Sequence, residues 1–247
     1  MMGLRNLYRV FRETRDAARQ EATLAISGDS SRAAEIAARL GAQREIKGAE
    51  IILAASGDTL TLSGKAVEAP GEIPLSSTDE ELVHRVVRAL EENYLVPLAK
   101  GYPPFRRAVC EELIRKNARQ NAVVGALPIP GADMPVMTAN QARMVLNIAA
   151  AHDEELSLER ARELLGVLAA GFGLRALARQ VVKLIPIGGW AAAATIGYAG
   201  TVAMGRASML YFERGKQRLE EGEISEIRQH AIEEARDFVS RLRHRRR

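Results

Sequence analysis

The turn that follows the first apolar segment of the chain contains residue types that could bind phosphate. The segment ATLAIS, residues 22–27, precedes the sequence GDSSRAAE, which begins at Gly28 and leads into an alanine-rich segment that ends at Leu40. In a phosphate-binding loop, a glycine-rich turn between a strand and a helix presents backbone N–H groups to the phosphates, and a Lys reaches the β- and γ-phosphates. The order of these residues therefore predicts the strand, turn and helix of such a loop.

The residues that would perform phosphate chemistry are missing from this turn. Aligned with the pattern G-x-x-x-x-G-K-S/T, Gly28 takes the first glycine, but Ala33, Ala34 and Glu35 stand where Gly, Lys and Ser/Thr belong. The turn then lacks a Lys to balance the phosphate charge and a hydroxyl to ligate Mg²⁺, and the Glu35 carboxylate would repel phosphate. We therefore expect a degenerate phosphate loop that holds no cofactor and hydrolyses no nucleotide.

The other reactive residues do not form a catalytic or metal-binding pattern. Cys110 is the only cysteine, which excludes an internal disulfide and a cysteine-cluster metal site and favours a reducing compartment. The four histidines, His84, His152, His230 and His244, have no ligand spacing to one another or to paired carboxylates. We expect neither a metal site nor an enzymatic activity.

The elements around the turn follow a β-α-β order. After the strand at residues 22–27 and the helix that ends at Leu40, a second strand is predicted at Ile51 to Ala54, and a third short strand at Ile73 to Leu75. Thr78 or Asp79 is expected to cap a helix that follows. Residues 21–96 are therefore predicted to form a small α/β unit.

The rest of the chain is predicted to be helical. Aromatic residues are only 4% of the composition while Ala, Leu and Arg abound, a balance that favours helices. Pro and Gly residues between 97 and 104 mark the predicted domain junction. Helices are predicted at residues 105–127, 132–152, 158–185, 190–216 and 224–243. The predicted fold class is mainly α, with the α/β unit followed by a helical bundle or hairpin domain at 97–216 and a C-terminal amphipathic helix with a basic tail at 217–247.

Two nearly uncharged stretches, Ala122 to Ala142 and Leu184 to Gly205, each open at or near a Pro/Gly corner. A helix of roughly 20 residues crosses a bilayer at about 1.5 Å of rise per residue, so the two stretches could form a membrane hairpin. They could equally be two buried helices of a soluble bundle. Small residues recur every four positions in the second stretch, at Ala193, Gly197, Thr201 and Gly205. This spacing predicts a tight helix pair, in lipid or outside it.

The net charge of +4 is concentrated at the two ends of the chain. Residues 1–20 are predicted to form a basic amphipathic helix, which could lie on anionic lipid or cap the domain behind it with solvated arginines. The candidate membrane-surface residues are Arg5, Arg9, Arg12, Arg245, Arg246 and Arg247. Both ends favour an acidic lipid surface, and binding of nucleic acid is the less expected alternative.

The sequence from Asn117 to Gly215 resembles the helical family called domain of unknown function 697, which is related to YcjF-type membrane proteins and often fused behind Era-like GTPase domains. The resemblance implies an association with membranes and GTPase modules, and it implies no reaction. It rests on Pro128, Pro130, Gly131, Thr138, Gln141, Met144, Pro186, Gly189, Gly205 and Gly215. The segment IPLSSTDEELVHRVVRAL is also similar to the last strand and helix of GTPase domains, so residues 21–96 are expected to be a degenerate GTPase-like unit.

Together these features predict a non-enzymatic, membrane-associated adaptor or scaffold at the cytoplasmic face of a bacterial-type membrane. The expected partners are the lipid surface and either a GTPase or a second copy of the chain. Two alternatives stay open. The first is a regulatory protein that binds nucleotide through the backbone groups of the degenerate loop, and the second is a soluble, cytoplasmic helical interaction module.

Overall fold

The computed structural model describes residues 20–126, 133–154 and 190–244, together with Phe11, Arg12 and Thr14. These residues belong to two compact units. The sheet unit contains residues 20–112 and 150–154, and the helical unit contains residues 113–126, 133–149 and 190–244 with Phe11, Arg12 and Thr14. The elements are β1 (Leu24–Ser27), α1 (Ser31–Leu40), β2 (Ile51–Ser56), β3 (Thr59–Ser63), β4 (Gly71–Pro74), α2 (Asp79–Ala89), α3 (Glu92–Gly101), α4 (Arg106–Ala126), α5 (Asp133–Ala151), α6 (Trp190–Glu213) and α7 (Glu221–His244).

The sheet unit is built on four strands in the order β1-β2-β3-β4. β1 and β2 are parallel, with Leu24 opposite Ile51, and α1 connects them. β3 and β4 continue the sheet in antiparallel pairs. The predicted fold class, mainly α with a small N-terminal α/β portion, is confirmed.

Local sequence signals explain where α1 and α2 lie. The buried residues of α1 are Ala33, Ile36, Ala37 and Leu40, a spacing that places them on one helix face. α2 begins with a capping box: the Thr78 hydroxyl accepts a hydrogen bond from the Glu81 N–H at 3.2 Å, and the Glu81 carboxylate accepts one from the Thr78 N–H at 3.1 Å. The predicted cap at Thr78 is therefore present.

Two elements differ from the sequence-based predictions. No element was expected between the predicted strands at Ile51 to Ala54 and Ile73 to Leu75, but this part of the chain contains β3, in which Leu60 and Leu62 are buried and alternate with more exposed threonines. α3 runs through Pro97, although the proline-containing segment was expected to interrupt the chain. Burial of apolar residues on either side, such as Leu95 and Leu98, offsets the backbone hydrogen bond that Pro97 cannot donate. The boundary between the two compact units lies inside α4, after Glu112.

The helical unit has α6 at its centre. This helix is uncharged from Trp190 to Gly205 and buried along most of its length, as expected for a helix that is apolar all round. The predicted helices at 105–127, 132–152, 190–216 and 224–243 correspond to α4, α5, α6 and α7 within three residues at each end. The predicted helix at 158–185 lies outside the described residues, as do Arg5, Arg9, Arg245, Arg246 and Arg247.

Of the predicted N-terminal helix, residues 1–20, the described residues are Phe11, Arg12, Thr14 and Gln20. Phe11, Arg12 and Thr14 are helical, with the Phe11 side chain buried and Arg12 exposed. This arrangement fits an amphipathic helix that presents its arginine to solvent.

The ion pair between Arg39 of α1 and Asp79 of α2 should make the stability of the protein depend on pH. The Arg39 guanidinium donates hydrogen bonds of 2.6 and 2.8 Å to the two Asp79 oxygens, and these bonds hold the pKa of Asp79 below its usual value of 3.8. A carboxylate whose pKa is lowered by folding stabilises the protein above its unfolded pKa, and this stabilisation is lost as the pH falls through the folded value.

Asp79→Asn should therefore lose less stability than the wild type when the pH is lowered from 6 to 3, measured as the midpoint of urea unfolding. The difference should be small, because both side chains are partly exposed and solvent screens the pair. Arg39→Gln should reduce the pH dependence of the unfolding midpoint in the same way, because it removes the other partner of the ion pair. If the unfolding midpoints of all three proteins fall equally with pH, the Arg39–Asp79 ion pair does not cause the pH dependence.

Candidate functional site

The turn between β1 and α1 is the position where the phosphates lie in proteins that have a phosphate-binding loop. Gly28 has a φ of +116°, and a Cβ atom there would lie 2.7 Å from the Ala55 Cβ and 3.0 Å from the Ala55 carbonyl oxygen. Both values are shorter than a van der Waals contact. Packing against β2 therefore requires glycine at this position, whether or not a ligand binds.

Two backbone carbonyls at this turn accept hydrogen bonds from a side chain of the protein itself. Arg44, from the loop after α1, donates one hydrogen bond to the Ile26 carbonyl at 2.8 Å and another to the Gly28 carbonyl. The positive charge of the guanidinium thus offsets the partial negative charges of the two carbonyl oxygens at the end of β1.

The three positions that depart from the phosphate-loop pattern lie on two faces of α1. Ala33 is buried, whereas Ala34 and Glu35 are exposed. The Glu35 carboxylate pairs with Arg32 of the same helix at 3.4 Å. None of the three offers a cation or an Mg²⁺ ligand that could replace the missing Lys and hydroxyl.

A second polar feature of the sheet unit is a cleft of about 250 Å³ whose wall includes α1, α2 and the start of α4. Arg39 and Asp79 form the ion pair described above, and Glu111 lies 3.2 Å from Arg107 and 3.7 Å from His84. The Arg39–Asp79 pair joins α1 to α2 and the Arg107–Glu111 pair lies within α4, so each of these two carboxylates already has a cation beside it.

A buried polar layer joins three helices of the helical unit. The Thr201 hydroxyl accepts hydrogen bonds from the side-chain amides of Asn121 at 2.8 Å and Gln141 at 3.3 Å, and it donates to the Gly197 carbonyl at 2.8 Å. The Asn140 amide donates to the Asn121 side-chain oxygen at 3.0 Å. We call these four residues, Asn121, Asn140, Gln141 and Thr201, the Thr201 layer. It links α4, α5 and α6 at one level.

The four small residues predicted to form a close helix contact lie near α4. A Cβ at Gly197 would be 2.6 Å from the Asn121 carbonyl oxygen, and one at Gly205 would be 2.5 Å from the Ile114 side chain. A Cβ at Gly125 would in turn be 2.8 Å from the Ala193 carbonyl oxygen. Together with the Asn121–Thr201 bond, these approaches make α4 of the same chain the neighbour of the small-residue face.

The region that contains the Thr201 layer matches a known family model. Residues 99–237 match the family described as Domain of unknown function (DUF697), and this range is more than half of the chain. The protein belongs to the DUF697 family. The resemblance predicted for residues 117–215 is therefore confirmed, whereas the GTPase-like character of residues 21–96 stays a prediction. No curated protein and no solved structure matches the chain.

Within the DUF697 region, α7 is attached to α6 by a polar and aromatic contact. Glu234 of α7 accepts hydrogen bonds from the Tyr198 hydroxyl at 2.8 Å and from Arg206 at 2.6 Å. The rings of Tyr198 and Phe238 stack with their centroids 4.7 Å apart. Burial, together with the Glu234 carboxylate, raises the pKa of the Tyr198 hydroxyl, which therefore remains a protonated donor.

Sequence reasoning identified the small residues of the DUF697 region and named Gln141 only as part of the resemblance, and it did not find Asn121, Asn140 or Glu234. The signal that could have revealed Asn121 is its occurrence with Asn117, one helical turn earlier, next to the uncharged stretch. Two amides on one helix face in apolar surroundings indicate buried hydrogen bonds. Glu234 gives no such signal, because it is one of many charged residues of α7.

The described part of the DUF697 region, including α5 and α6, holds no helix that is long and apolar enough for a bilayer crossing. Within the same described residues, His, Cys, Asp and Glu side chains do not form a group of three or more that could hold a metal ion.

Gly28→Ala should destabilise the protein by about 2 kcal/mol without any nucleotide present, because the new methyl group would collide with Ala55 in a strained backbone conformation. Gly57→Ala is the matched control, since Gly57 also has a positive φ, +57°, but open space around its Cβ position. Its cost should be about 1 kcal/mol. Equal losses of unfolding free energy in the two variants would show that the contact with β2 is unimportant.

Thr201→Val should cost about 2 kcal/mol of unfolding free energy, because it leaves the buried Asn121 and Gln141 amides without their acceptor. Thr195→Val provides the control. Thr195 is equally buried on α6, but its hydroxyl bonds the Ala191 carbonyl of the same helix. Its replacement should cost less than about 1 kcal/mol. If the two threonines prove equivalent in chemical denaturation, the Thr201 layer does not organise the bundle.

Proposed function

We propose that the protein is a non-enzymatic adaptor that associates peripherally with the cytoplasmic face of a membrane and presents its sheet unit to a protein partner. The observation that carries the proposal is the distribution of charge. Arginines concentrate at both ends of the chain, while the described parts of the two uncharged stretches lie together in the helical unit. Basic terminal segments are attracted to the anionic lipids of a cytoplasmic leaflet.

The non-enzymatic part of the proposal is supported by the β1–α1 turn. Arg44 is bonded to backbone carbonyls, Arg32 pairs with Glu35, and the positions of the missing Lys and hydroxyl are Ala34 and Glu35. A turn that lacks the phosphate-binding residues can still form part of a surface that contacts another protein. We propose a GTPase as the partner class, because the resemblance of the DUF697 region associates these helices with GTPase modules, and a second copy of the chain is the alternative partner.

A second candidate is a helical interaction module that does not contact a membrane. The observation that favours it is the pairing of Arg206 with Glu234, which joins α6 to the charged helix α7. Together with the approach of α4 to Gly197 and Gly205, this contact covers α6 with protein on two sides.

Fractionation of cells that express the full chain separates these candidates. The proposal predicts that the protein sediments with membranes at low salt and is released by high salt or alkaline carbonate. Replacement of Arg245, Arg246 and Arg247 by Ser should weaken binding to anionic vesicles up to about a hundredfold, at about 1 kcal/mol for each cation. Replacement of the same residues by Lys keeps the charge and should preserve binding.

Recovery of the protein in the cytosolic fraction at low salt would contradict the membrane proposal and leave the interaction module. Retention in the pellet after carbonate treatment would contradict peripheral association and indicate an integral segment.

A further inference from the structure

Three exposed apolar side chains lie at the same end of the helical unit. Val123 of α4, Val136 of α5 and Trp190 of α6 are 56%, 45% and 39% exposed, and with Ile46 they are the exposed large hydrophobic residues among the described part of the chain. We call Val123, Val136 and Trp190 the apolar tip.

The Thr201 layer shows that these residues share one end. Asn121 of α4 bonds Asn140 of α5, so both helices are at the same level there. Val123 lies two residues beyond Asn121, towards the end of α4, and Val136 lies one turn before Asn140, towards the start of α5. Trp190 is three residues before Ala193, which faces Gly125 near the end of α4. All three residues are therefore displaced from the layer in the same direction.

The charged residues of the three helices lie at different distances from the apolar tip along the helix axes. The described residues 122–126 and 190–205 are uncharged, and Asp133 at the first position of α5 is the single charge between residues 122 and 142. The nearest cations on the tip helices are Arg119, about 6 Å below Val123, and Lys116 and Arg143, each about 10 Å below the tip residue of its own helix, at about 1.5 Å of rise per residue.

This arrangement matches the interface of an anionic bilayer. Apolar side chains of interfacial segments enter the boundary between headgroups and acyl chains to a depth of about 5–10 Å, where Trp is favoured and where cations further back meet lipid phosphates. A second copy of the chain fits less well, because three side chains offer far less than the roughly 800 Å² per partner that a stable dimer buries.

We propose that the apolar tip is the lipid-contacting surface of the protein, with Val123, Val136 and Trp190 inserted at the headgroup boundary of an anionic bilayer and Arg119 at the level of the phosphates. The inference rests on the membrane association proposed above and specifies the surface and the orientation in which the helical unit meets the lipid.

The tip can be observed selectively, because Trp190 is the only tryptophan of the chain. The full-length protein is mixed with vesicles of phosphatidylcholine alone or with phosphatidylglycerol, and the tryptophan emission and the sedimented fraction are measured. The inference predicts a blue shift on the anionic vesicles, and stronger quenching by lipids brominated near the headgroup than by lipids brominated near the bilayer centre.

Val123→Asp should reduce partitioning into these vesicles at least tenfold. Ile46→Asp is the matched control, since Ile46 is 50% exposed but lies in the sheet unit, and it should leave partitioning unchanged. Val123→Ser, a milder change at the same exposed position, should weaken partitioning to an intermediate degree. It provides the same test if Val123→Asp does not fold.

The outcomes separate this inference from the proposed function. The wild type could sediment with vesicles without a blue shift and without an effect of Val123→Asp. This result would contradict the lipid contact of the apolar tip and leave the basic ends as the membrane contact. No sedimentation at any lipid composition would overturn both. A blue shift that grows with protein concentration in the absence of vesicles would overturn the tip by showing that a second copy covers it.

Discussion

The hydroxyl group of Thr201 imposes the strictest constraint in the helical unit. It lies where water is excluded, and it satisfies two side-chain amides from α4 and α5 while it bonds a carbonyl of its own helix. A buried amide without an acceptor costs more free energy than its hydrogen bond contributes, so the three helices must meet at this level. The approach is possible only because Gly197 leaves room for the Asn121 backbone.

This constraint explains why a chain with few aromatic residues builds an ordered bundle. Small residues on α6 allow backbones to approach closely, and the amides of the Thr201 layer determine which turns face each other. The ends of α4, α5 and α6 are aligned as a consequence, and the apolar tip results from that alignment. The contact of Tyr198, Arg206 and Glu234 then attaches the charged helix α7 to α6.

Local patterns made much of this architecture predictable. The limits of α4 to α7 follow from apolar periodicity and from Pro/Gly punctuation, and the cap at Thr78 is visible in the spacing of Thr78 and Glu81. Contacts between distant residues could not be predicted in this way. Arg44 reaches Gly28 across 16 residues, and Asn121 reaches Thr201 across 80, so neither role is visible in a local window. The sequence did not predict α3 either, because the burial of apolar residues on both sides of Pro97 outweighs the tendency of that proline to break a helix.

The most direct test of this account is a double-mutant cycle on Asn121 and Thr201, with the free energy of unfolding measured for the wild type, Asn121→Ala, Thr201→Val and the double variant. If the two side chains hold α4 and α6 at one level, the double variant should lose less stability than the sum of the single losses, with a coupling of about 1 kcal/mol or more. Losses that add to within about 0.3 kcal/mol would show that the two residues act independently, and would contradict the role given to the Thr201 layer.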